Sequence, residues 1–150
     1  MLIEVKTKVT WIIDSKPKKT TEIYILDREV FAQAEYAVMT LLNQYQNEGT
    51  VESYEIQSLK ASLIKEIVTQ YTGEHSFVAS LKDIAIQNNG TEKVLRYKIL
   101  LWADSIPAAM NNTREIAAQG YDMLIEGLRQ VDYYYLNTQS NEENTVSENQ

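Results

Sequence analysis

The chain has 150 residues, of which 44% are hydrophobic and 23% are charged, and its formal net charge at pH 7 is −7. The absence of cysteine excludes disulfides, zinc–thiolate sites and iron–sulfur clusters, and the acidic balance argues against nonspecific binding of polyanions. No apolar run approaches the roughly 18 residues of a membrane-spanning helix, and residues 1–6 carry no basic leader. We therefore expect one cytoplasmic domain of ordinary size without membrane association.

Two hairpins are predicted, one in each half of the chain. In the first, residues 8–13 and 20–26 are rich in β-branched side chains and flank a polar loop that contains Pro17. In the second, residues 80–86 and 94–102 flank an Asn-Gly dipeptide. Asn-Gly is the strongest short signal for a hairpin, because both central residues of its turn need positive φ.

A helix is predicted after each hairpin. Asp27 stands at the N-cap position of the first helix, and Asp104-Ser105, followed by Pro107, stands at the start of the second. Apolar residues then recur every three or four positions in both segments. Gly49 marks the end of the first helix, whereas the apolar stripe of the second continues to Val131.

A third strand is predicted after each helix, at residues 51–59 in the first copy and 131–136 in the second. The order ββαβ therefore occurs twice. This order predicts an α+β fold in which two repeats are related by a pseudo-twofold axis and two helices cover an antiparallel sheet or sheets.

The predicted boundaries follow from this duplication. A single domain, residues 1–136, contains repeat 1 (2–70) and repeat 2 (76–136). Residues 60–70 fit either a continuation of the third strand or a short linking helix. Residues 137–150 are acidic and almost free of aliphatic side chains, which predicts a disordered tail.

Four segments carry a resemblance to a known family: residues 3–9, 18–27, 31–35 and 77–82. They resemble an uncharacterised domain family of Bacteroidota chromosomes, their mobile elements and crAss-like phages, and the likeness extends over residues 2–136. The resemblance implies the fold, its duplication and an origin in a phage or mobile element. It transfers no catalytic residue, because the family carries no established activity.

Motifs for catalysis and metal binding are missing from the sequence. It contains no Gly-rich phosphate loop, no Gly-x-Ser-x-Gly elbow, no His-Glu-x-x-His and no calcium-binding loop. His75 lies between the repeats and is interpreted as a solvated side chain. Asp27 and Asp104 occupy equivalent positions, and helix capping explains them better than a paired-carboxylate site. We therefore predict a protein that is not an enzyme and holds no cofactor or metal.

A basic, aromatic hairpin is the first candidate binding site. Residues 1–20 contain five lysines against one glutamate and one aspartate, a local balance of +3. Lysines beside aromatic rings are typical of single-strand binders, in which charges follow the backbone and rings stack on bases. Alternatively, the lysines protect an exposed sheet edge from pairing. The candidate nucleic-acid-binding residues are Lys6, Lys8, Trp11, Lys16, Lys18, Lys19 and Tyr24.

Three consecutive tyrosines are the second candidate. Strand alternation sends Tyr133 and Tyr135 to one face and Tyr134 to the other. Because tyrosine is enriched at interfaces, this strand favours self-association. Core packing explains any single tyrosine equally well.

These features predict a non-catalytic binding or assembly protein of a phage or mobile element, acting through sheet edges and exposed aromatic residues. We expect a homo-oligomer, with a phage or host protein as a second candidate partner. The alternative is a single-stranded nucleic-acid-binding protein of replication or recombination that uses the basic hairpin.

Overall fold

The computed structural model describes residues 1–120 and 123–137. Within them the chain forms two compact units, one made of residues 1–62 with 133–137 and the other lying within residues 63–132. Each unit contains a four-stranded sheet and one helix, so the predicted α+β class and the repeated ββαβ order are confirmed. The tail predicted for residues 137–150 lies outside the described residues, except for Asn137.

The first unit begins with the hairpin of β1 (Leu2–Ile13) and β2 (Lys16–Asp27). These strands are followed by α1 (Phe31–Asn47) and by β3 (Val51–Ala61), which pairs antiparallel with β1. The last strand, β8 (Tyr133–Tyr135), lies parallel to β2, and the strand order is β3-β1-β2-β8.

The core of the first unit lies between this sheet and α1. Successive side chains of a strand point to opposite faces, so alternate residues of β1 and β2 meet the helix. The helix contributes residues spaced three or four apart, which share one side of it. The buried residues of this core are Ile3, Val5, Val9, Tyr24, Leu26, Ala34, Ala37, Val38, Leu42 and Val51.

The second unit contains β4 (Ile64–Ile67), β5 (His75–Ile86), β6 (Glu92–Ala103), α2 (Ile106–Gln119) and β7 (Leu124–Val131). The hairpin of β5 and β6 is the centre of its sheet, whose strand order is β4-β6-β5-β7. β7 pairs antiparallel with β5, and β4 pairs parallel with β6. The core residues are Val68, Phe77, Ala79, Leu81, Ile99, Leu101, Ala103 and Ala109.

The fourth strand of each sheet comes from the other repeat. β4 follows β3 in sequence but pairs with β6 of the second sheet. β8 is separated from β7 by a single residue, Asp132, but pairs with β2 of the first sheet. The regular parts of residues 60–70 are therefore strands, namely the end of β3 and the whole of β4, and none of them is helix. The sequence did not predict this exchange, because strands of three or four residues carry too little periodicity to indicate their partners.

Both hairpin turns differ from the prediction. The first turn consists of Asp14 and Ser15, whose φ angles are 51° and 63°, and Pro17 lies inside β2 opposite Ile12. Two residues with positive φ give a tight turn whose twist matches that of the strands. The polar segment after this turn is therefore the beginning of β2 rather than part of a loop. In the second hairpin the loop is residues 87–91, and Gly90 alone in it has a positive φ, 82°. The expected two-residue Asn-Gly turn is therefore wrong.

The helix starts are correct in one copy and wrong in the other. Ser105 caps α2, and its hydroxyl accepts a hydrogen bond from the Ala108 N–H at 3.2 Å. The first helix instead begins after Val30, which offers no capping side chain, so the prediction that Asp27 caps it is wrong. Asp27 is instead the last residue of β2, one residue beyond the predicted run, and it lies three residues before the N-cap position at Val30.

The two equivalent aspartates hold the starts of equivalent strands. Asp27 accepts a hydrogen bond from the amine of Met1 at 2.9 Å, directly before β1. Asp104 accepts one from the N–H of Glu74 at 3.0 Å, directly before β5. Neither aspartate caps a helix, and each closes the open end of its hairpin.

The second helix is shorter than predicted. It ends at Gln119, and residues 124–131, which were expected to continue it, form β7. No helix among the described residues has both the length and the apolar character that crossing a bilayer requires.

Candidate functional site

The five lysines of the basic hairpin are exposed on both faces of the first sheet. Lys6, Lys8 and Lys19 share the face opposite α1. Lys16 and Lys18 have the other parity and share the face of Trp11. The pleat of the sheet therefore divides the predicted basic surface into two parts.

The two aromatic residues of the hairpin are engaged with a buried carboxylate that the sequence analysis did not single out. The indole N–H of Trp11 donates to Glu22 Oε1 at 2.9 Å, and the hydroxyl of Tyr24 donates to Glu22 Oε2 at 2.7 Å. Glu22 is 6% exposed and Tyr24 is 3% exposed. Tyr24 therefore presents almost no ring surface on which a base could stack, although the five lysines of the hairpin are accessible.

Further ring contacts hold these side chains against α1 and β8. The Trp11 ring lies 5.7 Å from that of Tyr45 in α1, and the Tyr24 ring stacks on Tyr134 at 5.4 Å. The hydroxyl of Thr20 donates to Glu22 Oε1 at 3.2 Å, and this is the oxygen that also accepts from Trp11. Together they form an aromatic and carboxylate cluster that joins β1, β2, α1 and β8.

The tyrosine strand lies at an edge of the first sheet. Tyr133, Tyr134 and Tyr135 pair with residues 23–25 of β2. Tyr134 shares the face of Tyr24 and is half exposed, whereas Tyr133 and Tyr135 lie on the other face and are partly buried. The stacked ring of Tyr134 thus has a packing role in addition to its exposed surface.

The far end of the second hairpin extends beyond the rest of its sheet. β7 pairs with β5 as far as Lys82, and β4 pairs with β6 at residues 64–67 opposite 98–100. In the described chain, residues 83–86 and 92–95 therefore pair only with each other. We name residues 83–95, with their connecting loop, the β5–β6 arm. The first hairpin has no such arm, because β3 supports it as far as Trp11.

One face of the β5–β6 arm exposes three large apolar side chains, whereas the other face exposes one, Leu95. Ile84 and Val94 form a cross-strand pair and are 41% and 42% exposed, and Ile86 is 77% exposed. Sequence reasoning missed this surface because the side chains of β5 and β6 alternate between the two faces in the same way throughout each strand. The pattern therefore does not mark where the core ends and the arm begins. The available signal was length: β5 and β6 have 12 residues each, whereas β7 has 8.

A family model described as a domain of unknown function, DUF4494, matches residues 3–135. The chain belongs to the DUF4494 family. The match begins in β1 and ends in β8, so the DUF4494 domain includes both four-stranded sheets. No curated protein and no solved structure matches the chain.

The buried cluster of this DUF4494 domain predicts a loss of stability at high pH. Burial and the hydrogen bond to Glu22 raise the pKa of Tyr24 above the ordinary value of 10.0. A hydrogen bond to Glu115 raises the pKa of Tyr71, and burial raises that of Tyr97. Because the folded state holds these protons more tightly, the stabilisation is complete below the unfolded pKa and is lost as the pH rises above it.

We expect the free energy of unfolding to fall as the pH is raised from about 9 to about 11. Urea denaturation at a series of pH values measures this fall. Tyr24→Phe removes the tyrosine whose pKa is raised by burial and by Glu22. The free energy of unfolding of this variant should therefore fall less steeply with pH than that of the unsubstituted protein. The same slope in both proteins would contradict the assignment.

Proposed function

We propose that this DUF4494 protein is a non-catalytic binding or assembly protein, acting through the β5–β6 arm and through its sheet edges. We propose also that it belongs to a phage or mobile element, as the sequence resemblance implies. The observation that supports the binding role best is the exposed apolar face formed by Ile84, Ile86 and Val94. Contiguous apolar surface with charged neighbours is typical of protein–protein contact sites.

The construction of the arm supports the same function. A two-stranded ribbon is marginally stable in water unless another layer covers one of its faces. Apolar residues on such a ribbon gain burial only when a partner covers them, at about 25 cal/mol for each Å² removed from water. The arm therefore has the properties of a surface that is completed by association.

The alternative function, binding of single-stranded nucleic acid, rests on the five exposed lysines of the first hairpin. Its aromatic component is weakened by the burial of Tyr24 and by the hydrogen bond that fixes the indole of Trp11. We therefore treat this function as an outcome of the test rather than as the proposal.

The test compares two faces of the arm. Ile84→Thr with Val94→Thr removes apolar surface from one face and keeps the β-branched side chains that strands favour. Ala85→Thr with Leu95→Thr is the matched control, because Leu95 is also 41% exposed but lies on the opposite face. We expect the unsubstituted protein and the control to associate with rising concentration in analytical ultracentrifugation, and the Ile84/Val94 variant to remain monomeric.

The alternative is tested with a labelled single-stranded oligonucleotide in fluorescence anisotropy at about 50 and about 200 mM salt. A protein that stays monomeric at every concentration, yet binds the oligonucleotide in a salt-sensitive way, would overturn the proposal. Loss of that binding on Lys16→Glu, Lys18→Glu and Lys19→Glu would assign it to the first hairpin.

A further inference from the structure

We infer that the partner of the β5–β6 arm is a second copy of this chain, docked arm against arm about a twofold axis. The axis runs across the two strands at the level of the Ile84–Val94 pair. Ile84 then faces the partner's Ile84, and Val94 faces the partner's Val94. This inference rests on the proposed function and specifies its partner and geometry.

On the apolar face, the cross-strand pairs on either side of Ile84–Val94 lie at equal distances from it. Two residues towards the tip lies the pair Ile86–Glu92, and two residues towards the base lies the pair Lys82–Arg96. Each step is about 7 Å along the strands. All six side chains share one face, because they have the same parity in the antiparallel register.

This symmetry makes the face complementary to itself. A twofold axis perpendicular to the strands reverses their direction, so the tip of one arm lies over the base of the other. Glu92 then meets the partner's Arg96, and Ile86 meets the aliphatic part of the partner's Lys82. An isologous contact requires such a match, because the same patch is used twice.

The charges also exclude the other way of stacking two arms. With the axis along the strands, base would lie on base, and Lys82 would face the partner's Arg96. Like charges brought together in this way oppose association. The antiparallel arrangement is therefore the one that the face favours.

Arg96 already has a partner in its own chain. Its Nε donates to Glu126 Oε1 at 3.1 Å, and both side chains are exposed. A guanidinium group has five N–H donors, so it can bind the partner's Glu92 and Glu126 together. The contact buries three apolar side chains from each copy, which places it among the small, weak interfaces.

Charge reversal tests the geometry. We expect Glu92→Arg and Arg96→Glu each to raise the dimer dissociation constant at least about tenfold, because each places like charges together at two symmetric positions. The double variant Glu92→Arg/Arg96→Glu should restore association. Glu126→Gln is the control for loss of the ion pair within one chain, and it should associate like the unsubstituted protein.

The outcomes separate this inference from the proposed function. Association that is lost in the Ile84/Val94 variant but is insensitive to charge reversal would overturn the arm-to-arm geometry and leave the function standing. A double variant as weak as the single ones would do the same. An unsubstituted protein that is monomeric at every concentration would overturn this inference, and salt-sensitive binding of the oligonucleotide by that monomer would overturn the proposed function as well.

Cross-linking provides an independent measurement, since the chain has no cysteine of its own. A disulfide is unsuitable, because facing sheets lie about 10 Å apart and a disulfide needs Cα atoms within about 7 Å. A short bismaleimide should convert Ile84→Cys into a covalent dimer. Ala85→Cys, on the opposite face of the arm, should remain monomeric, and equal cross-linking of the two variants would overturn the inference.

Discussion

Gly73→Ala is expected to lower the free energy of unfolding of the second unit by about 3 kcal/mol. A Cβ atom at this position would overlap the backbone of Ala103, with the nitrogen of Ala103 only 2.6 Å away. Such an overlap requires movement of the backbone, because no flexible side chain lies there to yield.

The surroundings of Gly73 oppose that movement. Ala103 is buried in the core of the second unit and pairs with His75 at the end of β6. The next residue in each segment is also fixed, since Asp104 accepts a hydrogen bond from the N–H of Glu74. Both backbones are therefore held directly beside the close approach.

The matched control is Gly127→Ala, because a Cβ at Gly127 meets no atom within 4 Å and its φ is not positive. Urea denaturation followed by the fluorescence of Trp102, in a Trp11→Phe background, measures the second unit. We expect the midpoint to fall for Gly73→Ala and to change little for Gly127→Ala. Equal midpoints for the two variants would contradict the packing argument.

Glu22→Ala should destabilise the first unit by about 2 to 3 kcal/mol. The hydroxyl of Tyr24 would lose the carboxylate to which it donates, and a buried donor without an acceptor costs about 1 to 3 kcal/mol. The indole N–H of Trp11 would keep only its weaker contact, with the Thr20 hydroxyl at 3.1 Å. The void left beneath α1 adds to this cost.

Two further variants test the origin of this effect. Glu22→Gln keeps one carbonyl oxygen as an acceptor, so its loss of stability should be smaller than that of Glu22→Ala. Glu55→Ala removes an exposed carboxylate from β3 and should change stability by less than about 0.5 kcal/mol. Chemical denaturation followed by Trp11 fluorescence, in a Trp102→Phe background, measures all three. Similar values for Glu22→Ala and Glu55→Ala would show that the cluster does not stabilise the fold.

The sequence predicted the strands and helices that have a regular period and a local signal. The alternation in β1 and β2 indicated the hairpin, and Ser105 before Pro107 indicated the start of α2. Asp27 misled because it still pairs with Leu2 as the last residue of β2, and α1 begins only at Phe31. Long-range pairing, rather than local preference, determines that boundary.

The error at β7 has a more specific cause. Ile125 and Leu128 both pack against the core of the second unit, although residues three apart in a regular strand face opposite sides. The register of β5 and β7 shifts between Ser80 and Leu81, which skips one residue of β7. A bulge of this kind converts a spacing of two into a spacing of three. The spacing of Ile125 and Leu128 is therefore compatible with a helix as well as with β7, and the stripe of Leu124, Leu128 and Val131 wrongly predicted a helix here.

The candidate site was less predictable than the fold. Trp11 and Tyr24 were expected to face solvent with the lysines, but their parity places them on the side that α1 covers. The β5–β6 arm depends on where β7 stops pairing, which is a tertiary property that the residues of the arm do not encode. Ile84 and Val94 both lie beyond that end point and are exposed.

The two short strands also bear on how the duplicated chain could have arisen. Each repeat ends in a strand that completes the sheet of the other repeat. An ancestor with one repeat would complete its sheet with the last strand of a second molecule, and that molecule would take the first one's strand in return. In its connectivity, the present chain is equivalent to such a strand-exchanged pair joined into one polypeptide, so its exchange does not depend on concentration.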